Sequence, residues 1–191
     1  KSPFVISELS ANHNGSIENA KKLISLAKKS GSDAVKLQTY TPDMMTIKDL
    51  KFSIKHGLWK KKSLWHLYQH AQTPLEWHAE LFKFAKKLGI EPLCTPFDIV
   101  ACKEILKLKP KAIKIASADL LNFPLIKFAA NTNLPLILST GMHSEVEILK
   151  AVNFAKLYTT KIIVLHCVSN YPASEDSLNL NYIKRLEKIT G

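Results

Sequence analysis

The sequence predicts an α/β fold, a (β/α)8 TIM barrel of which this chain carries about six βα units. Three observations predict it. Six short apolar runs alternate with segments of helical periodicity along the chain, as parallel strands do when helices cover both faces of their sheet. No glycine-rich turn follows the first run, where only Gly15 stands, which argues against a doubly wound dinucleotide-binding sheet. Polar residues close nearly every run at its C-terminal end, the edge at which a barrel keeps its functional groups.

The first strand is expected at residues 4–9, with Glu8 near its end. The second covers 34–39 and carries Lys36 and Gln38. A long segment, 40–72, then intervenes on the functional side, where it reads as a lid or substrate loop. Thr73-Pro74-Leu75-Glu76 reads as a capping box with proline at the first helical position. In the helix that follows, Leu81, Phe84, Ala85 and Leu88 fall at i, i+3, i+4 and i+7, with Lys83, Lys86 and Lys87 on the other face. Gly31 and Gly89 stand where two helices should stop. The third strand, 91–95, ends in Thr95 and is followed by Asp98. The fourth, 112–116, carries Lys114 and leads into Ser117 and Asp119. The fifth, 134–139, ends in Ser139 and Thr140, and Ile148, Val152 and Ala155 repeat the helical spacing after Ser144. The sixth, 162–166, ends in His166, with Ser169 and Tyr171 just beyond. A closed barrel needs eight strands, so either the sheet is open or, as the favoured reading, residues 1–191 are the front three-quarters of a longer barrel domain.

Composition narrows the function classes. With 191 residues, 46% of them hydrophobic and 23% charged, the chain has the balance of a soluble globular domain. No apolar run approaches the roughly 20 residues of a membrane span, and residues 1–10 do not read as a secretion signal. Three cysteines, Cys94, Cys102 and Cys167, are too few and too irregular for a disulfide framework or a Cys-x-x-Cys metal site, so a reducing cytoplasm is expected. The net charge of +11 suggests nucleic acid, but Arg185 is the single arginine among 27 basic residues. Base readout leans on the planar guanidinium, and pairs such as Lys21-Lys22, Lys28-Lys29 and Lys86-Lys87 fit solvated helix faces. No nucleic-acid or membrane partner is expected.

Two lysines inside apolar strands, Lys36 and Lys114, are the sharpest anomaly. Each either reaches out at a strand end, meets a carboxylate, or joins a cradle for an anion such as phosphate together with Ser117, Ser139 and Thr140. A Schiff-base lysine of the class I aldolase type is the other chemistry this pattern allows. Glu8 and Asp119 are the carboxylates at the same rim, able to neutralise the lysines and to move protons. His66 and His70 are four residues apart on a helix but lack the acidic partner of a zinc motif, so they read as a surface pair. His13, His143 and His166 read as hydrogen-bonding residues of loops. Trp59, Trp65 and Trp77 read as packing residues, with sugar stacking as the alternative.

The motifs carry a family resemblance. Glu8-Leu9-Ser10-Ala11-Asn12-His13-Asn14-Gly15, Val35-Lys36-Leu37-Gln38-Thr39 and Thr95-Pro96-Phe97-Asp98 resemble the sialic acid synthase family, makers of nine-carbon nonulosonic acids. So do Lys114-Ile115-Ala116-Ser117, Leu138-Ser139-Thr140-Gly141-Met142 and His166-Cys167-Val168-Ser169-Asn170-Tyr171-Pro172-Ala173, all in order along the chain. The resemblance implies condensation of phosphoenolpyruvate with the open-chain aldehyde of an acetamido sugar, addition of water and release of phosphate. Carried over by motif, Lys36, Thr95, Lys114, Ser117, Ser139 and Ser169 would hold phosphoenolpyruvate. Ser169 stands where some relatives have asparagine. Glu8 and Asp119 would be the catalytic carboxylates, and Asn14, Gln38 and Tyr171 would contact the sugar. The resemblance also implies a divalent metal, manganese or magnesium, acting as Lewis acid on the aldehyde. The two histidines that bind it in the family lie in motifs beyond the sixth helix, so no metal ligand is expected in this chain. A homodimer and a C-terminal antifreeze-like domain, absent from residues 1–191, belong to the same expectation; the rival reading is an inactive sugar- or phosphate-binding fragment.

Within the family, Leu9 to His13, Gln38 to Asp43, Gly57-Leu58-Trp59 and Leu67-Tyr68 through His78 resemble the pseudaminic acid synthase branch. His166 stands where that branch tends to have lysine and Asp119 where it tends to have glutamate, both leaning towards the N-acetylneuraminate or legionaminate branches. The longer match, much of it in segment 40–72, carries more weight.

Overall fold

The computed structural model describes residues 2–48, 53–55, 59–170 and 172–191. It divides into two compact units, Lys1–Pro110 and Lys111–Gly191. The first runs β1 (Ile6–Glu8), α1 (Ile17–Lys29), β2 (Ala34–Thr39), α2 (Pro42–Met45), α3 (Leu64–Ala71), α4 (Leu75–Lys87), β3 (Glu91–Pro96) and α5 (Ile99–Lys107). β1, β2 and β3 pair in parallel, Glu8 level with Lys36 and Gln38 level with Thr95. Strand residues alternate between faces. Val35, Leu37 and Cys94 turn to the helices and pack with Ala20 and Ile24 of α1, Leu81, Phe82 and Ala85 of α4, and Ile105 of α5. Each fully buried aliphatic side chain contributes about 1.5–3 kcal/mol. Lys36 and Gln38 occupy the intervening positions, on the opposite face.

Glycine ends α1 and α4 as the sequence predicts. Gly31 (φ +85°) and Gly89 (φ +69°) take left-handed backbone conformations. Around them the Gly31 and Ser32 N–H groups donate to the Lys28 and Ala27 carbonyls, and those of Gly89 and Ile90 to Lys86 and Ala85. That is the paired closure of a Schellman motif. The start of α4 departs from expectation. Thr73 makes no cap there and Pro74 stands as the N-cap, because the Thr73 hydroxyl is engaged by His13 at 3.2 Å. β1 is also shorter than predicted: Phe4 is 64% exposed and outside the strand.

The second unit runs β4 (Ile113–Ile115), a 3-10 turn (Ser117–Asp119), α6 (Phe123–Ala130), β5 (Leu136–Ser139), α7 (Glu145–Lys156), β6 (Ile162–Leu165), a second 3-10 turn (Glu175–Ser177) and α8 (Tyr182–Thr190). β4, β5 and β6 are again parallel in chain order. Ile113, Ile115, Leu136 and Leu138 are buried with Leu125, Ile126 and Ala129 of α6 and Ile148, Ala151, Val152 and Ala155 of α7. Ser144 caps α7 through a full capping box with Glu147. Arg185 of α8 grips Glu145 of α7 with two nitrogens, at 2.8 and 2.7 Å. A cavity of about 640 Å³ is lined by Val152 of α7, Val164 of β6, and Ile183 and Leu186 of α8. Among the described residues no helix is long and apolar enough to cross a membrane. Each predicted strand is present, and each is followed by a helix.

Candidate active site

Polar side chains gather at the C-terminal strand ends within each unit. In the first, Lys36 lies in mid-strand on β2 and is only 6% exposed. A lone ammonium there would be costly. Its Nζ forms an ion pair with the Glu8 carboxylate and donates to Thr95 Oγ1 at 3.1 Å. The strand register puts Glu8 directly beside Lys36, with Thr95 two residues beyond its partner on β3. The carboxylate reading of Lys36 therefore holds, and Glu8, Lys36 and Thr95 form one cluster. Ser10 completes its border, its N–H donating to Glu8 Oε1 at 3.1 Å and its hydroxyl accepting from the Gln38 amide at 3.2 Å. Asn14 sits apart, exposed in the β1–α1 loop with a left-handed backbone (φ +49°).

In the second unit, Ser117, Gly141 and Ser169 converge. The Gly141 N–H donates to Ser117 Oγ at 3.1 Å. A Cβ on Gly141 would collide with the Ser169 hydroxyl and lie 2.9 Å from the Cys167 carbonyl oxygen. Only glycine leaves that space open. Ser139 is buried at the end of β5, and Lys114 is half-buried in β4. Asp119 lies in the turn after β4, its Oδ1 accepting from the Asn122 amide at 3.4 Å. Burial raises its carboxyl pKa above the ordinary range, and the Asn122 contact opposes this only in part. A carboxyl shifted in that direction can hold a proton closer to neutrality. Tyr171, and Gly57 and Leu58 of the branch motif, lie outside the described residues.

The histidines behave as hydrogen-bonding residues. His143 Nδ1 donates to the Gly141 carbonyl at 2.9 Å, and His166 Nε2 to the Leu178 carbonyl at 2.8 Å. His70 Nδ1 donates to the His66 carbonyl on the surface of α3. Trp65 Nε1 donates to Asp43 at 2.8 Å and Trp77 packs against the core, as packing residues should, whereas Trp59 is exposed. Sequence reasoning missed two features. The Gly141 amide is a backbone donor that no side chain announces; only its place in Ser139-Thr140-Gly141 signals it. The second is a buried chain on the helix side of the first unit, in which Thr39 Oγ1 meets His78 Nε2 at 2.7 Å and Cys94 Sγ at 2.8 Å. Burial pushes the Cys94 thiol up to about 12, so it stays protonated and unreactive.

Comparison with known proteins follows the motifs. Residues 23–191 match the model of the NeuB family. Pseudaminic acid synthase of Helicobacter pylori is 42% identical over 99% of this chain and 56% of its own length. N,N'-diacetyllegionaminic acid synthase of Legionella pneumophila is 35% identical over 96% of this chain and 53% of its own. The chain thus spans a little over half the length of the curated relatives it matches. The crystal structure of N-acetylneuraminic acid (sialic acid) synthetase from Leptospira borgpetersenii, in complex with citrate, superposes with a TM-score of 0.88 at 29% identity, covering 98% of this chain and 62% of that one. The fold is thereby that of the TIM-barrel synthases.

Proposed function

The chain belongs to the NeuB family, and on that premise we propose that the protein condenses phosphoenolpyruvate with an acetamido sugar to give a nonulosonic acid and phosphate. The observation that carries this is Lys36, a cation buried in a strand beside a carboxylate and a threonine hydroxyl. Lys36, Thr95, Lys114, Ser117, Ser139 and Ser169 are the proposed ligands of phosphoenolpyruvate, each carried over from a family motif. The Gly141 N–H adds a donor whose current partner is the Ser117 hydroxyl.

The chemistry asks for charge neutralisation and three proton transfers. The enol carbon of phosphoenolpyruvate bonds to the sugar aldehyde carbon, whose oxygen takes up a proton. Water adds to the carbon that bears the phosphate, losing a proton. The hydroxyl so formed becomes the keto C=O as the C–O bond to the phosphate oxygen breaks with its electron pair on the departing phosphate, which takes up the hydroxyl's proton. Lysines suit the anion on which negative charge collects. Asp119, with its raised pKa, suits the proton needed by the aldehyde oxygen. Glu8, ion-paired with Lys36, is the base for water. Gln38, Asn14 and Tyr171 are assigned to the sugar. The proposal includes a divalent ion, manganese or magnesium, whose Lewis acidity would polarise the aldehyde. Among the described residues no cluster of three or more histidine, cysteine or carboxylate side chains fits such an ion. Its ligands are proposed to lie outside this chain, as the resemblance implies. A cytoplasmic homodimer completes the proposal.

The sugar proposed is the 2,4-diacetamido-2,4,6-trideoxy sugar of pseudaminic acid. Its support is the higher identity to the pseudaminic acid synthase than to the legionaminic acid synthase. His166, which departs from the pseudaminic pattern, is engaged by the Leu178 carbonyl and the Tyr182 ring. Its substitution thus has a local use in holding the β6–α8 connection. The test is product formation by the full-length enzyme with each sugar. Faster turnover of the diacetamido sugar is expected, because a pocket built for it leaves the 6-hydroxyl of N-acetylmannosamine poorly paired. Equal or faster turnover of N-acetylmannosamine would reassign the sugar and keep the chemistry.

A further inference from the structure

His13, in the β1–α1 loop, is a fully buried titratable group that the proposed chemistry does not use. The Gly15 N–H donates to its Nδ1 at 3.1 Å, so that nitrogen carries no proton. Nε2–H is then left to donate to Thr73 Oγ1 at 3.2 Å. The His13 carbonyl accepts from the Ser16 N–H and from the Asn19 amide, both at the start of α1. Its ring meets Trp77 of α4 edge-on, with centroids 5.5 Å apart. One side chain therefore joins the β1–α1 loop to Thr73, the first residue past segment 40–72.

The loop needs such a tie. Ser10 (φ +44°) and Asn14 (φ +49°) take left-handed backbone conformations, which non-glycine residues keep where surrounding contacts over-determine them. An apolar side chain would fill the same space without requiring two polar partners. The imidazole instead supplies an acceptor to the loop's own turn and a donor to the far side of segment 40–72. Burial and the neighbouring His78 both lower the His13 pKa, which keeps the ring neutral and both bonds intact.

We propose that His13 is a positioning residue for the sugar, its bond to Thr73 fixing the loop that carries Asn14 against the C-terminal foot of segment 40–72. Sugar recognition then depends on a pair of residues that touch no substrate. The inference rests on the synthase reading, and its test separates the two. In the full-length enzyme, Thr73→Val removes the acceptor with little change of shape. His13→Asn keeps an oxygen for the Gly15 N–H but falls short of Thr73, whereas His13→Gln can still reach Thr73. Thr73→Val and His13→Asn should raise the KM for the sugar about tenfold and leave the KM for phosphoenolpyruvate within about twofold, as loss of one hydrogen bond allows. His13→Gln should recover most of the loss. Amide hydrogen exchange at residues 13–16 should quicken in Thr73→Val. Equal rises in both KM values, or a lower melting temperature with neither KM changed, would reduce His13 to structural support and overturn the proposal. If the wild-type enzyme makes no product, the synthase reading fails. The tie is then judged by exchange alone, and unchanged exchange in Thr73→Val overturns it.

Discussion

Lys36 is a charged residue in an apolar strand, held there by the Glu8 carboxylate and the Thr95 hydroxyl. Lys36→Met keeps the side chain's apolar stem and removes the charge. We expect it to weaken phosphoenolpyruvate binding by roughly thirty- to several-thousand-fold, the effect of about 2–5 kcal/mol for a buried charge-assisted contact. Calorimetry on the full-length protein measures this, and near-wild-type affinity would remove Lys36 from the site. His78 was not legible in the sequence, because its partner Thr39, which also meets Cys94, lies far away along the chain and reaches it only after β2 and α4 have packed. Burial lowers the pKa of both His13 and His78 from the ordinary 6.5. Below that value the unfolded chain binds protons that the folded chain refuses. Their contribution is whole above about pH 6.5 and shrinks as pH falls, by up to about 1.4 kcal/mol per pH unit for each histidine. Urea midpoints at pH 7.5 and 5.5 should therefore differ, and His78→Gln should narrow the gap. An unchanged gap would show that His78 does not carry the effect.

At the level of elements, local signals were read correctly where the partner is local. The 3.6-residue spacing in α4 and α7 and the glycines after α1 and α4 act within a turn or two of themselves, so the sequence alone displays them. Thr73 shows the opposite case. Its motif is that of a helix cap, yet a histidine sixty positions away claims the hydroxyl, and α4 starts without a side-chain cap. The contrast with α7 is testable. Ser144→Ala breaks a complete capping box and should cost about 1 kcal/mol, read as a lower urea midpoint with unchanged slope. No change in midpoint would mean that the packing of Ile148, Val152 and Ala155 alone holds that end.

For the whole molecule, the order of six strand–helix units was legible because each unit repeats the same hydrophobic periods, and the motifs at the strand ends supplied the family. The convergence of Ser117, Gly141 and Ser169 was legible only as three separate serine and glycine motifs, since distances between loops depend on how β4, β5 and β6 align. The chain spans 56% of the Helicobacter pylori relative, and the metal ligands are proposed to lie outside it. The isolated 191-residue chain should accordingly release no phosphate under conditions in which the full-length enzyme turns over; activity of the chain alone would contradict the placement of those ligands. The most direct measurement is phosphate release from phosphoenolpyruvate by the full-length protein, with and without the diacetamido sugar, followed by borohydride treatment. The expected result is release that requires the sugar, matches the nine-carbon product mole for mole, and leaves no covalent adduct. Release indifferent to the sugar, or an adduct trapped on Lys36 or Lys114, would contradict the synthase chemistry.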